Sequence, residues 1–235
     1  MNKPAHDIFP LGDSALTIDW GNTIDEAINT MVIAWFHRLQ NDPLPGMIEA
    51  VPAYSSLTLH YDLSVLQKIV PPGKGVFAWM KEQLEQRLEK PLDAVDETPG
   101  KIVRIPVCYE PEFASGMEEL AMATGLSADE IIRIHSAIAY RVYLVGFLPG
   151  FAYMGPVDDR IRAPRKPQPV PVAAGSVGIA GNQTGIYPFA SPGGWTIIGR
   201  TPVRLFDAAK TEPALVQAGD NVQFYSISRH EFADH

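Results

Sequence analysis

Between Ser176 and Trp195 the chain reads SVGIAGNQTGIYPFASPGGW. Asn182, Gln183, Thr184, Tyr187 and Ser191 supply donors and acceptors there, and Trp195 supplies a flat apolar wall. A few polar groups over aromatic surface is what a small-ligand pocket needs. The glycines of this stretch allow close approach of a ligand or of a neighbouring strand. They equally suit barrel corners, and Pro188 and Pro192 stiffen the turns around Phe189-Ala190-Ser191. Pattern alone favours the corners.

Other chemistry is narrowed by what is missing. There is no GxxxxGK[ST] phosphate loop, no GxGxxG following a strand and no GxSxG nucleophile elbow. His6, His37, His60, His135, His230 and His235 are scattered, with no HxH or HExxH, so no metal site is expected. Cys108 ends a predicted strand without a nucleophile motif and reads as a structural thiol. As the single cysteine it excludes an internal disulfide, which fits a cytoplasmic location. His135 lies four residues after Ile131 on the apolar side of a predicted helix. It admits two readings, a half-buried histidine bonded to backbone or an acid/base at a barrel mouth, and periodicity favours the first.

The elements that would position these groups fall into two textures. In the first ninety residues strand and helix signals alternate. Leu16, Ile18 and Trp20 alternate with Ala15, Thr17 and Asp19 as in a half-buried strand. Thr23-Ile-Asp-Glu26 has the form of a capping box, followed by Ile24, Ile28, Met31, Trp35 and Leu39 on one helical face. Strands at Met47–Ala53 and Ser55–Tyr61 follow, then a second amphipathic helix carrying Phe77, Met80, Leu84 and Leu88. This is an α+β unit resembling a ferredoxin-like sandwich, with two helices on one face of a sheet. Asp93 to Gly100, acidic and containing proline and glycine, reads as a linker, dividing residues 1–97 from 98–235.

The second part opens with a strand at Lys101–Val107 and a Ser127-Ala-Asp-Glu130 capping box, with Ile131, Ile134 and Ile138 on one helix face. Eleven of the 19 glycines then fall between Gly146 and Gly219, separating β-rich runs. Those runs are Arg141–Val145, Ser176–Ala180, Trp195–Ile198, Val203–Phe206 and Val222–Ile227. Short strands joined by Gly/Pro turns suggest a closed barrel or a sandwich. With 235 residues, 46% hydrophobic content and a net charge of −8, the chain has material for a core and argues against a nucleic-acid footprint. The run Arg160–Lys166 reads as a basic loop. No segment approaches the length of apolar sequence that spans a membrane.

Longer blocks carry a resemblance. HSAIAYRVYLVGFLPGFAYMG (His135–Gly155), APR (Ala163–Arg165), the stretch Val170–Pro202, LFD (Leu205–Asp207) and VPAYSSLTLHYD (Val51–Asp62) resemble successive blocks of one bacterial family. Its members are called allophanate hydrolase subunit 1, the B subunit of 5-oxoprolinase, or the sporulation kinase inhibitor KipI. The resemblance implies a ferredoxin-like N-terminal α/β domain followed by a cyclophilin-like β-barrel. It also implies partners: a subunit-2-type barrel protein and a third, lactam-handling subunit, the set opening 5-oxoproline to glutamate with ATP. Alternative roles in the same family are inhibition of a sensor histidine kinase, with Phe147, Phe151 and Tyr153 against a helix pair, and part of a urea carboxylation system. No amidase Ser-Ser-Lys signature supports the allophanate name.

Opening a lactam is chemically demanding, because a five-membered cyclic amide is stable to water. Phosphorylation of its carbonyl oxygen creates a leaving group and an electrophilic carbon, which accounts for ATP. A chain without a phosphate loop then has the task of binding the lactam or its activated form. Under this reading Arg165 anchors a carboxylate or phosphate. Gln183, Tyr187 and Ser191 supply hydrogen bonds, Trp195 a wall, His135 an acid/base, Arg200 a second anion contact, and backbone amides of the glycine-rich loops an oxyanion site.

Overall fold

The computed structural model describes residues 5–92 and 100–235, so the expected linker from Asp93 lies outside the described residues apart from Gly100. The chain divides into two compact units, Met1–Pro99 and Gly100–His235.

The first unit contains β1 (Asp7–Pro10), β2 (Ala15–Asp19), α1 (Glu26–Asn41), β3 (Met47–Pro52), β4 (Ser56–Tyr61), α2 (Leu63–Leu66) and α3 (Val76–Leu88). Its antiparallel sheet has the order β1-β2-β4-β3, two hairpins joined through the β2–β4 pair. Alternation places Leu16, Ile18, Leu57 and Leu59 on one face, where Val32, Trp35 and Leu39 of α1 and Met80, Leu84 and Leu88 of α3 meet them. Helix α1 begins later than the expected box at Thr23. Asp25 is the N-cap and its carboxylate accepts the Ile28 N–H, leaving Ile24 outside the helix and exposed.

The second unit contains β5 (Ile102–Val107), α4 (Met117–Thr124), α5 (Ala128–Ser136), β6 (Ala139–Val145), β7 (Ala152–Gly155), a 3-10 turn at Asp159–Ile161, β8 (Val170–Val172) and β9 (Ser176–Ala180). It continues through β10 (Gln183–Ile186), β11 (Ser191–Gly193), β12 (Thr196–Arg200), β13 (Asn221–Ser226) and α6 (Arg229–Asp234). Seven strands form one sheet in the order β12-β9-β10-β7-β6-β13-β5. Its two edges meet where Cys108 and Arg200 exchange backbone hydrogen bonds of 2.8 and 2.9 Å. The sheet therefore curls into a nearly closed barrel, filled by Ile105, Val107, Val142, Met154, Ile179, Ile198 and Phe224.

Helix α5 starts at the expected box: Ser127 and Glu130 cap each other reciprocally. Ile138 lies beyond its end and is exposed, while His135 takes the buried position. The expected strand at Val203–Phe206 does not form. Leu205 is buried, but the segment pairs only through a bridge between Phe206 and Ala214, because Pro202 and Pro213 lack the N–H groups a ladder requires. A separate two-stranded ribbon, β8 with β11, accompanies the barrel. Among the described residues no helix is long and apolar enough to cross a membrane.

Candidate functional site

On one strand of the barrel the side chains of β10 alternate. Thr184 is fully buried and bonds to His135 and to the Gly178 carbonyl, whereas Gln183 lines a cavity of about 370 Å³. Arg165, Tyr187 and Trp195 line the same cavity, with Phe151 and Tyr153 as aromatic walls. The rings interlock: Phe151 is edge-on to Tyr187 at 5.1 Å and to Trp195 at 5.5 Å, and Tyr153 sits 5.8 Å from Trp195. Such pairs contribute about 0.5–1.5 kcal/mol each beyond burial, which makes a stiff floor.

Two glycines make that floor possible by close approach. A Cβ on Gly185 would stand 2.9 Å from the Trp195 indole and from the Ala152 carbonyl, and one on Gly193 would collide with the Tyr187 hydroxyl. The Tyr187 phenol is tied to the backbone N–H of Trp195. The expected oxyanion role for loop amides is not available to Gly175 and Gly181. They donate to the carbonyls of Tyr187 and Ala163 at 2.7 and 2.6 Å.

Arg165 sits on an irregular segment held at both ends. Ala163 pairs with Gly181 in the two-residue β9–β10 turn, and the Lys166 N–H donates to the Gly194 carbonyl at 2.7 Å. Between these anchors the Arg165 side chain runs past Gly194, whose added Cβ would lie 3.4 Å from its Cγ. Arg165 has no carboxylate partner among the described residues, while its neighbour Lys166 pairs with Glu119 at 2.9 Å. Burial pushes the Tyr153 phenol up, with Arg165 opposing the shift. Burial likewise raises Tyr187, against the Trp195 amide. Both phenols therefore stay protonated at neutral pH and can donate. One cation, one carboxamide and two phenols over an aromatic floor suit a small, flat, anionic ligand that can hydrogen-bond.

The family model described as carboxyltransferase domain, subdomain C and D, matches residues 6–216. The chain is 44% identical to the 5-oxoprolinase B subunit of Bacillus subtilis (strain 168), over 97% of this chain and 95% of that one. The chain belongs to the 5-oxoprolinase B-subunit family. The Escherichia coli O157:H7 member is 33% identical, over 92% of this chain and 94% of that one. The crystal structure of TTHA0988 superposes with a TM-score of 0.76 at 33% identity, covering 91% of this chain. The match covers 40% of that longer chain.

In this member of the 5-oxoprolinase B-subunit family the cavity gathers Arg165, Gln183, Tyr187 and Trp195, and it leaves three expected residues out. His135 is a core residue and not a group at the barrel mouth. It is fully buried, Nδ1 lies 3.0 Å from the Tyr109 hydroxyl and Nε2 lies 2.9 Å from Thr184 Oγ1. It stacks on Phe224 at 4.6 Å, and burial holds its pKa down to about 3, so the ring is neutral at physiological pH. Ser191 lies on β11 beside Pro192 and Gly193, which line the cavity, but does not line it itself. Its Oγ is buried without a partner among the described residues. Arg200 ends β12, donates from Nε to the Ala174 carbonyl at 2.7 Å and sits over Phe232. Cys108 is buried at the barrel seam, and burial raises its thiol pKa, consistent with a structural thiol.

A larger cavity of about 850 Å³ contains none of the expected site residues. Several of its polar groups are committed within the fold: the Tyr109 hydroxyl to His135, Glu110 to the Arg229 N–H, and Ser228 to the cap of α6. Among the described residues no group of three or more His, Cys, Asp or Glu is placed to hold a metal.

Proposed function

We propose that this chain serves as the B component of an ATP-dependent 5-oxoprolinase and that the aromatic cavity of its second unit binds the lactam. The observation that carries the reading is Arg165, without a carboxylate partner among the described residues and anchored on both sides, at a small aromatic cavity that Gln183 also lines. 5-Oxoproline offers a matching set: a carboxylate for a bidentate guanidinium, a cyclic amide for a carboxamide, and a ring of suitable size for the floor. The Tyr153 and Tyr187 phenols supply donors at its edge.

In this reading the chain binds and orients the ring and keeps water from its faces. Nucleotide chemistry is supplied in the assembly by a subunit-2-type partner and a third, lactam-handling subunit. The overall reaction takes lactam, ATP and water to glutamate, ADP and phosphate. The fold follows the same proposal. The first unit is a ferredoxin-like sandwich in which the N-terminal β1 takes an edge position beside β2, and the second is a cyclophilin-like barrel. The β1-β2-β4-β3 order and the seven-stranded curl support those assignments.

The test is reconstitution. The purified chain, mixed with its partner subunits, 5-oxoproline and ATP, is expected to release glutamate, and omission of this chain is expected to abolish it. A complete set with no ATP-dependent product, or full activity without this chain, refutes the proposal.

A further inference from the structure

The loop joining β6 to β7 reads Gly146-Phe147-Leu148-Pro149-Gly150. Phe147 has a φ of +70° and is the sole non-glycine residue with positive φ among the described residues. That backbone costs a bulky side chain energy, and glycine or asparagine would occupy it more easily. The ring is also 64% exposed, so burial does not explain it.

The conformation is nevertheless held from both sides. The Gly146 N–H donates to the Phe151 carbonyl at 3.0 Å, and the Phe151 N–H donates to the Leu148 carbonyl at 2.9 Å. Gly150 is seated so closely that an added Cβ would lie 2.9 Å from Phe206 Cβ. The outcome is a ring at the cavity wall, edge-on to Phe151 at 5.7 Å. An exposed aromatic kept in an unfavourable backbone, against a cavity, is the kind of outlier that marks a functional site.

Arg165 does not distinguish substrate from product in the proposed reaction, since 5-oxoproline and glutamate both carry an α-carboxylate. They differ in the rest of the molecule. The lactam presents flat, weakly hydrated ring faces, whereas glutamate is an open chain with an added ammonium and a second carboxylate, both strongly hydrated. An aromatic wall favours the first and penalises the second. We propose that Phe147 is a specificity-determining residue that selects the cyclic lactam over its open-chain product, an inference that rests on the cavity being the lactam site.

Calorimetric titration of 5-oxoproline and of glutamate into the full chain with its partner subunits tests this. Phe147→Asn and Phe147→Gly both tolerate the left-handed backbone and are expected to hold the melting temperature. Each is expected to weaken lactam binding about tenfold, leaving glutamate unchanged, while Phe147→Tyr keeps the preference. Unaltered lactam preference in the Asn and Gly variants, with Arg165→Ala still weakening lactam binding about tenfold or more, overturns the role of Phe147 and leaves the cavity reading standing. Failure of the wild-type assembly to bind the lactam overturns both.

Discussion

Arg165 and Gln183 reach one cavity from segments with little regular structure in common, and their variants separate two kinds of contact. Removing a charge-assisted bidentate partner costs about 1.5–3 kcal/mol, so Arg165→Ala is expected to raise the KM of the assembled enzyme for the lactam on the order of tenfold to a hundredfold. Gln183→Ala removes neutral hydrogen bonds and is expected to cost about tenfold or less. Glutamate release at varied substrate concentration measures both, and full activity in both variants would show that the ligand sits elsewhere. Gly193→Ala probes the floor beneath them. Its Cβ would collide with the Tyr187 hydroxyl, so a loss of about 1–3 kcal/mol in unfolding free energy is expected, accompanied by a changed Trp195 fluorescence. A stable variant with unchanged fluorescence would mean that the ring moves aside freely. The glycines and the aromatics were legible as pocket-or-corner material. Which of them touch was not, because Gly193 meets Tyr187 from a strand of the β8–β11 ribbon, which no local pattern announces.

At the scale of elements, α5 and β10 are joined by the chain Tyr109–His135–Thr184–Gly178, buried throughout. The Ser127 capping box and the spacing of Ile131, Ile134 and His135 were readable from sequence, since both depend on neighbours one helical turn away. The partners of His135 were not, because they stand 26 and 49 residues away. The buried ring predicts a pH dependence. Its folded pKa, about 3, lies below the unfolded value near 6.5, so the unfolded state takes up the proton first as pH falls. This contribution is fully present above about pH 6.5 and is progressively lost towards pH 3. Between pH 6.5 and 5 the loss is about 2 kcal/mol, before the depressed carboxylates of Glu130 and Asp158 begin to add theirs. Urea unfolding of wild type and His135→Gln at both pH values measures it. The variant is expected to show a flatter profile, and an identical slope would mean that His135 is not the group responsible.

Among the described residues each unit has its own core, the first centred on Leu16, Leu57 and Met80, the second on Val107, Met154 and Phe224 with a smaller cluster of Phe151, Tyr187 and Trp195 at the cavity. Each unit is therefore expected to fold when expressed without the other. Residues 100–235 alone should give a dispersed proton NMR spectrum, a cooperative melt and the same pH dependence as the full chain. A broad, non-cooperative melt would show that the barrel needs the first unit. Composition, charge, the two capping boxes, the helix faces and the change of texture near residue 100 are properties of neighbouring residues, and the sequence by itself determined them. It also determined family membership, because long ordered blocks are matched without any coordinates. Only the tertiary structure decided that Cys108 and Arg200 close the barrel, that Val203–Phe206 stays irregular, that His135 is sealed inside, and that Arg165 stands at the aromatic cavity. The physical reason is range. Periodicity and turn chemistry act over a few residues, whereas burial, desolvation and close approach depend on which distant segments the folded chain brings together.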